Sequence, residues 1–144
     1  MKKICISSTH RYYELPKDGS SGADTMLKDK ISGFIEKIRS VDGVAACAVV
    51  SRDGIIAGKL FERELNEPWF GALTATILAS AESAANIIRM HSMDSVTIRG
   101  FDSSIIVMGA GDNFLVAAIL DNRADQGKAH EQILSIAQKI GEVM

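Results

Sequence analysis

Histidine and cysteine are the residue types in this sequence that most readily bind metals or act as acids, bases and nucleophiles. His10, His91 and His130 each stand alone, with no second histidine or cysteine at the spacing that metal ligands need. Cys5 and Cys47 lie in apolar runs far from one another, and neither belongs to a Cys-x-x-Cys pair. That placement is typical of small core residues in a reducing compartment, so the sequence predicts neither a zinc site nor a disulfide.

Two further motifs resemble catalytic or cofactor signatures but lack the necessary context. Gly109 and Gly111 could open a dinucleotide-binding loop, but the third glycine position is Phe114, and a strand follows where a helix is needed. Ser103 and Ser104 have no glycine-flanked nucleophile elbow around them and no identifiable base. We therefore predict no catalytic residue, no cofactor and no metal, and a protein that is not an enzyme.

The nearly balanced charge of the sequence argues against nucleic acids and membrane surfaces as partners. The 144 residues include 16 Lys and Arg against 18 Asp and Glu, and neither sign forms a long run. The sequence thus shows no basic footprint for nucleic acid and no basic amphipathic helix for a membrane surface. The apolar run behind Lys2 and Lys3 is too short for an export signal, and no stretch is long enough to span a bilayer. We expect a cytoplasmic protein without direct membrane insertion.

Hydrophobic periodicity predicts three helices and five strands. The helices are expected over 24–39, 66–91 and 125–143, and the strands over 44–51, 55–61, 93–99, 104–108 and 114–120. Asp53 and Gly54 form a typical hairpin turn, and the half-polar strand over 93–99 suits a sheet edge. The strands over 44–51 and 114–120 are apolar nearly throughout, so they should lie side by side with both faces covered. The order α-β-β-α-β-β-β-α favours an antiparallel sheet in the α+β class.

The helix over 66–91 is more apolar than a helix that covers one sheet needs to be. On a helical wheel its apolar residues occupy roughly half of the circumference, whereas about 100° suffices to cover a sheet. The wider arc indicates a helix covered on two sides, most simply by its own sheet and by a second copy across a two-fold axis. A helix buried within one larger core gives the same pattern. The apolar face comprises Trp69, Leu73, Ile77, Ala84, Ile87 and Ile88, and Phe70, Leu78, Ala81 and Ala85 continue it.

The N-terminal residues differ in composition from the rest of the chain. We expect residues 1–25 to form an arm or linker and residues 26–144 to form one domain. The arm is either a mobile tail or a segment that pairs on a sheet edge, and the sequence leaves both alternatives open.

Several motifs resemble the roadblock family, also named for dynein light chains, and their order and spacing match over most of the chain. They are VDGV at 41–44, VVSRDG at 49–54, the alanine-rich helix over 71–88, GDNFLVA at 111–117 and ADQGK at 124–128. The resemblance implies a five-stranded antiparallel sheet flanked by helices on both faces, with the alanine-rich helix alone on one of them. Residues 1–25 lie outside the resemblance.

The resemblance also implies a function in binding. Roadblock proteins pair through the alanine-rich helix and the neighbouring edge strand, and they regulate small Ras-like GTPases or scaffold larger complexes. For this chain it implies a homodimer whose interface includes Leu73, Ile77, Ala81, Ala84, Ile88, Val96 and Ile98. The sequence has no identifiable arginine finger, so an effect on hydrolysis would come from positioning the GTPase's own groups. The alternatives are a small-ligand sensor and a structural subunit of a hetero-oligomeric roadblock complex.

Overall fold

The structure is a computed structural model that describes residues 3–5, 12–14, 22–61 and 64–144, with side chains described over 26–61 and 64–144. Near the N-terminus, two short strands, β1 (Lys3–Cys5) and β2 (Tyr12–Glu14), pair antiparallel. The other residues of the predicted arm before residue 22 lie outside the described part of the chain. The first helix already begins at Gly22, and the division of the chain at residue 26 stays a prediction.

Three helices and five longer strands form the main body in the predicted order. They are α1 (Gly22–Arg39), β3 (Val44–Ser51), β4 (Ile56–Leu60), α2 (Glu67–Ile87), β5 (Val96–Arg99), β6 (Ser103–Ala110), β7 (Phe114–Asp121) and α3 (Gln126–Val143). The sheet has the strand order β4-β3-β7-β6-β5, with every neighbouring pair antiparallel. The α+β fold is therefore confirmed, and β3 and β7 lie side by side as predicted.

The two faces of the sheet carry different helices. Cys47 and Val49 of β3 belong to a buried cluster with residues of α1 and α3, whereas Ala48 and Val50 belong to a second cluster with Leu78 of α2. Successive side chains of a strand point to opposite faces, so a strand covered on both sides is apolar at every position. This arrangement accounts for the almost unbroken apolar run of β3. None of the described helices has the length and apolar content needed to cross a membrane.

The turn between β3 and β4 sets the position of α2. Gly54 adopts a left-handed backbone with φ 92°, as the predicted hairpin turn requires. A side chain at Gly54 would meet the backbone of Ala72, and one at Gly71 would meet the backbone of Gly54. These glycines allow the start of α2 to pack directly on the hairpin. The start is also capped, because the side chain of Asn66 accepts a hydrogen bond from the amide of Trp69 at 3.3 Å.

The C-terminal end of α2 lies before the end predicted at residue 91. The amide of Met90 donates to the carbonyl of Ala85 at 2.9 Å, and that of Arg89 donates to Asn86 at 3.0 Å. This pair of bonds is a Schellman motif, and Arg89 occupies its left-handed position with φ 55°. Glycine usually marks that position, and its absence explains why the sequence predicted a longer helix. The next strand correspondingly starts at Val96 instead of residue 93.

Candidate functional site: an apolar interaction surface

The outward side of α2 exposes large apolar side chains. Its buried residues are Gly71, Thr74, Leu78 and Ala85. Four apolar residues of the predicted two-sided face are well exposed in the single chain: Trp69 by 64%, Leu73 by 53%, Ile87 by 82% and Ile88 by 68%. The structure therefore covers one side of the helix and leaves the other apolar side in contact with solvent.

A single ion pair shows which way the exposed side of α2 faces. Arg52, in the turn after β3, contacts Glu82 of α2 with Nη1 and Oε1 2.9 Å apart, and its Nη2 donates to the carbonyl of Gly111 at 2.7 Å. Residues advance about 100° around a helix at each step, so Leu73 and Ala84 lie on the flank opposite Glu82. That flank faces away from the β3–β4 turn and along the sheet towards its other end. Nothing in the sequence near Arg52 marks Glu82, 30 positions away, as its partner.

The sheet continues the apolar surface on that flank. Ile98 of β5 pairs with Ile105 of β6, which pairs with Ile119 of β7, so the three form a lateral row. Ile105 and Ile119 are only half-buried, and Ile98 is 39% exposed. The row lies on the α2 face, because Ile105 and Ile119 pack against the cluster that contains Leu78. We call the exposed side of α2 together with Val96 and this row the α2–β5 surface.

A groove opens where the end of α2 meets the start of β5. Its volume is about 770 Å³. Its lining includes Ala81, Ala84, Ile88, Met90, Met93 and Val96. Four of the predicted interface residues thus share one concavity, while Leu73, Ile77 and Ile98 lie outside its lining. The structure brings the predicted residues to one side of the domain, and whether they form an interface stays a prediction.

Four polar residues also line the groove: Ser92, Asp94, Ser95 and His130. Ser95 and His130 lie 35 positions apart, and the Ser95 Oγ is 2.7 Å from the His130 Nε2. A hydroxyl beside an imidazole is the start of a nucleophilic site, but such a site also needs a group that orients the ring. Within residues 26–61 and 64–144, no carboxylate is hydrogen-bonded to His130. The contact links the segment before β5 to α3.

Two other candidate residues, Cys47 and Ser104, are buried in the fold. Cys47 is fully buried, its thiol lies 3.7 Å from the carbonyl oxygen of Ile35, and burial raises the pKa of the thiol to about 12. The side chain of Cys5 lies outside the described residues. The Ser104 hydroxyl donates to the side-chain oxygen of Gln126 at 2.9 Å. Among the described residues, no group of three His, Cys, Asp or Glu side chains is placed to hold a metal ion.

The interface predicted from the sequence omitted four residues of the α2–β5 surface and its groove. They are Ile105, Ile119, Met90 and Met93. Ile105 is hidden in an apolar strand of eight residues, where a half-buried position has no distinctive signal. The usable signal was alternation, because residues two positions apart on a strand share a face. Applied to Val96 and Ile98 and carried across the sheet register, it leads to Ile105 and then Ile119.

The structure is a small α+β domain with one apolar helix face exposed. A family model for the Roadblock/LC7 domain matches residues 33–120, more than half of the chain. The chain therefore belongs to the Roadblock/LC7 domain family, and the resemblance drawn from its motifs is confirmed.

Solved structures show the same fold at low sequence identity. An MglB with tetrameric arrangement is 16% identical with a TM-score of 0.73, covering 90% of this chain and 96% of that one. MglB of Myxococcus xanthus is 14% identical with a TM-score of 0.70, covering 86% and 91%. A Roadblock/LC7 domain from Streptomyces avermitilis is 17% identical with a TM-score of 0.64, covering 79% and 93%. No curated protein sequence matches the chain significantly.

Proposed function

We propose that this protein is a non-enzymatic, homodimeric module of the cytoplasm that regulates or scaffolds a small Ras-like GTPase. The observation that carries the proposal is the α2–β5 surface, which leaves a helix with exposed Trp, Leu and Ile side chains beside an open sheet edge. Contiguous apolar surface of this kind on a small domain marks an interaction site.

A second copy of the chain is the partner that fits this surface best. The two edges of the sheet differ, since β2 lies beside β4 whereas no described strand lies along the outer side of β5. An unpaired edge offers backbone donors and acceptors in a form that another β5 can match by two-fold symmetry. Pairing the two β5 strands would extend the sheet and bring the exposed flanks of both α2 helices together.

The dimer is tested by Leu73→Glu, which places a charge on the exposed flank of α2. We expect the unmodified protein to sediment at twice the 15.5 kDa protomer mass and the variant at that mass itself. Because Leu73 is 53% exposed in the single chain, the fold should tolerate the change. Ser135→Glu, on an exposed position of α3, is the matched control and should remain dimeric. A dimer that survives Leu73→Glu, Ala81→Glu and Ala84→Glu would show that the interface lies elsewhere.

The GTPase partner rests on membership of the Roadblock/LC7 family. Affinity capture from the native cytosol, followed by mass spectrometry, should enrich one GTP-binding protein. The purified GTPase should then bind the module with different affinities in its GDP and GTP-analogue forms, because a regulator must distinguish the two states. Equal affinity for both forms would indicate that the module is a scaffold and not a regulator. The absence of any GTP-binding protein among the captured proteins would contradict the proposal.

The groove supports a second candidate function, that of a small-ligand sensor. A mostly apolar concavity of about 770 Å³ with a few polar groups in its lining has the size and character of many ligand sites. A thermal shift with nucleotides or common metabolites that is lost on filling the groove with Ala84→Trp would favour it. The third candidate, a subunit that requires a different roadblock chain, predicts that the protein expressed alone is a monomer.

A further inference from the structure

Phe101 is the most exposed large apolar side chain among those described, at 95%. It occupies the turn between β5 and β6, and the backbone of that turn is held firmly. The amide of Gly100 donates to the carbonyl of Ser103 at 2.8 Å, and the side-chain amide of Asn122 donates to the carbonyl of Phe101 at 2.9 Å. The turn therefore presents a phenyl ring to solvent from a fixed backbone, which lowers the entropy cost of binding that ring.

Strand geometry places this turn beside a particular part of a second copy, and this step rests on the proposed dimer. Residues that face one another in an antiparallel pair lie on the same side of the sheet. If two β5 strands pair by two-fold symmetry, each residue therefore opposes one of the same parity. Two registers overlap most of the strand, one with Thr97 opposite its own copy and one with Ile98 opposite its own copy.

Both registers lead Phe101 to the same neighbourhood. Phe101, Met93 and Ser95 lie just beyond the ends of β5. If the register continues past the strand ends, Phe101 comes near the partner's Met93 in the first and near the partner's Ser95 in the second. These two residues border the groove at the end of α2 in each protomer. A symmetric dimer contains the contact twice, because each turn meets the groove of the other chain.

We propose that Phe101 of each protomer inserts into the groove of the other and is the residue that specifies this pairing. The groove is large enough for a phenyl ring at about 770 Å³, and Met90 and Met93 in its lining supply the flexible thioethers that pack well around aromatic rings. The ring and the groove are complementary in character, and both are uncovered in the single chain. Aromatic side chains contribute strongly to interface energies, and anchors that fill a well-packed pocket carry much of the binding energy.

The first test compares Phe101→Ala with Ile55→Ala by sedimentation across a range of concentrations. Ile55 is a matched control, because it is an exposed apolar residue in the turn before β4, at the other edge of the sheet. Phe101→Ala should raise the dimer dissociation constant about 100-fold, as two anchors worth roughly tenfold each are lost. Ile55→Ala should leave the constant unchanged. A Phe101→Ala protein that dimerises as tightly as the unmodified protein overturns the inference.

The second test locates the ring by disulfide trapping in a Cys5→Ser background. Phe101→Cys is combined with Met93→Cys in one variant and with Ser95→Cys in another. Within one chain the two positions lie at opposite ends of β5, too far apart to join, so a disulfide must link two protomers. One of the two variants should form a covalent dimer and thereby identify the register. Phe101→Cys with Ile55→Cys should not.

The results separate this inference from the proposed function. One result is that the unmodified protein is a dimer that Leu73→Glu dissociates, but neither double-cysteine variant cross-links. In that case the proposed dimer is supported and the proposed role of Phe101 is wrong. If the unmodified protein is a monomer at every concentration, both proposals fail together.

Discussion

The thiol of Cys47 illustrates how the core controls the chemistry of a single residue. Cys47 lies in the middle of β3, under α1, and its pKa rises from 9.0 to about 12 because burial penalises the thiolate. The reactive form of cysteine is the thiolate, so a buried neutral thiol behaves as a small apolar side chain. The sequence predicted this structural role from the apolar residues on either side.

The shifted pKa of Cys47 predicts a loss of stability at high pH. Between about pH 9 and 12 the unfolded thiol is ionised while the folded thiol keeps its proton, so unfolding releases a proton. The free energy of unfolding should therefore fall by up to about 1.4 kcal/mol per pH unit from this group alone. Urea unfolding at pH 8, 9 and 10 measures the slope.

Cys47→Ala in a Cys5→Ser background provides the control, since lysines and tyrosines also titrate in this range. The variant should be less stable at pH 8 by about 1–2 kcal/mol, because it loses buried volume. That difference should shrink as the pH rises. Stability curves that stay parallel from pH 8 to 10 would contradict the assignment.

Two residue pairs show what the sequence could not provide at this scale. Ser95 and His130 are 35 positions apart and Arg52 and Glu82 are 30 apart, and nothing in their local patterns marks them as partners. Each pair forms only because a helix packs against the sheet: α2 brings Glu82 to Arg52 after β3, and α3 brings His130 to Ser95 before β5. Capping residues behave differently, since Asn66 and Asp125 bond to amides three positions away and were predictable from local sequence.

At the scale of elements, the end of α2 and the start of β5 determine the shape of the groove. The helix was predicted to continue because its apolar pattern continues through Ile88 and no glycine interrupts it. The Schellman motif at Arg89 instead turns the chain, so that Met90 and Met93 line the groove and do not extend the helix or the strand. The spacing of apolar residues predicts the helix. It does not predict where the helix ends, because the left-handed cap position is occupied by Arg89 and not by the usual glycine.

Replacing Arg89 with glycine should stabilise the domain. A residue with a side chain costs about 1 kcal/mol or more in the left-handed region, and glycine avoids that cost while adding entropy to the unfolded chain. The net gain expected for Arg89→Gly is about 0.5–1 kcal/mol in the free energy of unfolding, measured by urea titration. Asn86→Gly, inside the last turn of α2, is the control and should destabilise by about 1 kcal/mol or less. Equal destabilisation by both changes would exclude strain at Arg89.

At the scale of the whole molecule, the fold was predictable because its layers follow from patterning. Helices with one apolar face, and strands apolar throughout, have few ways to bury their surfaces, and the order of the elements favours an antiparallel sheet. The family motifs then added the helix arrangement on the two faces. The residues of the α2–β5 surface were harder to predict from the sequence, because Ile105 and Ile119 belong to it only through the pairing of β5, β6 and β7.

The proposed dimer links assembly to thermal stability, which gives a test that needs no partner protein. Unfolding of a dimer into two chains is favoured by dilution, so its midpoint temperature depends on protein concentration. At about 0.7 kcal/mol of unfolding enthalpy per residue, a dimer of 144-residue chains unfolds with roughly 200 kcal/mol. Each tenfold increase in concentration should then raise the midpoint by about 2–3 °C.

The two variants should behave differently in this measurement. Leu73→Glu should unfold at a temperature that does not depend on concentration. Phe101→Ala should lower the midpoint but keep its dependence on concentration wherever the variant remains dimeric. A midpoint that is independent of concentration in the unmodified protein, at concentrations near its dissociation constant and above, would mean that folding is complete without a second chain.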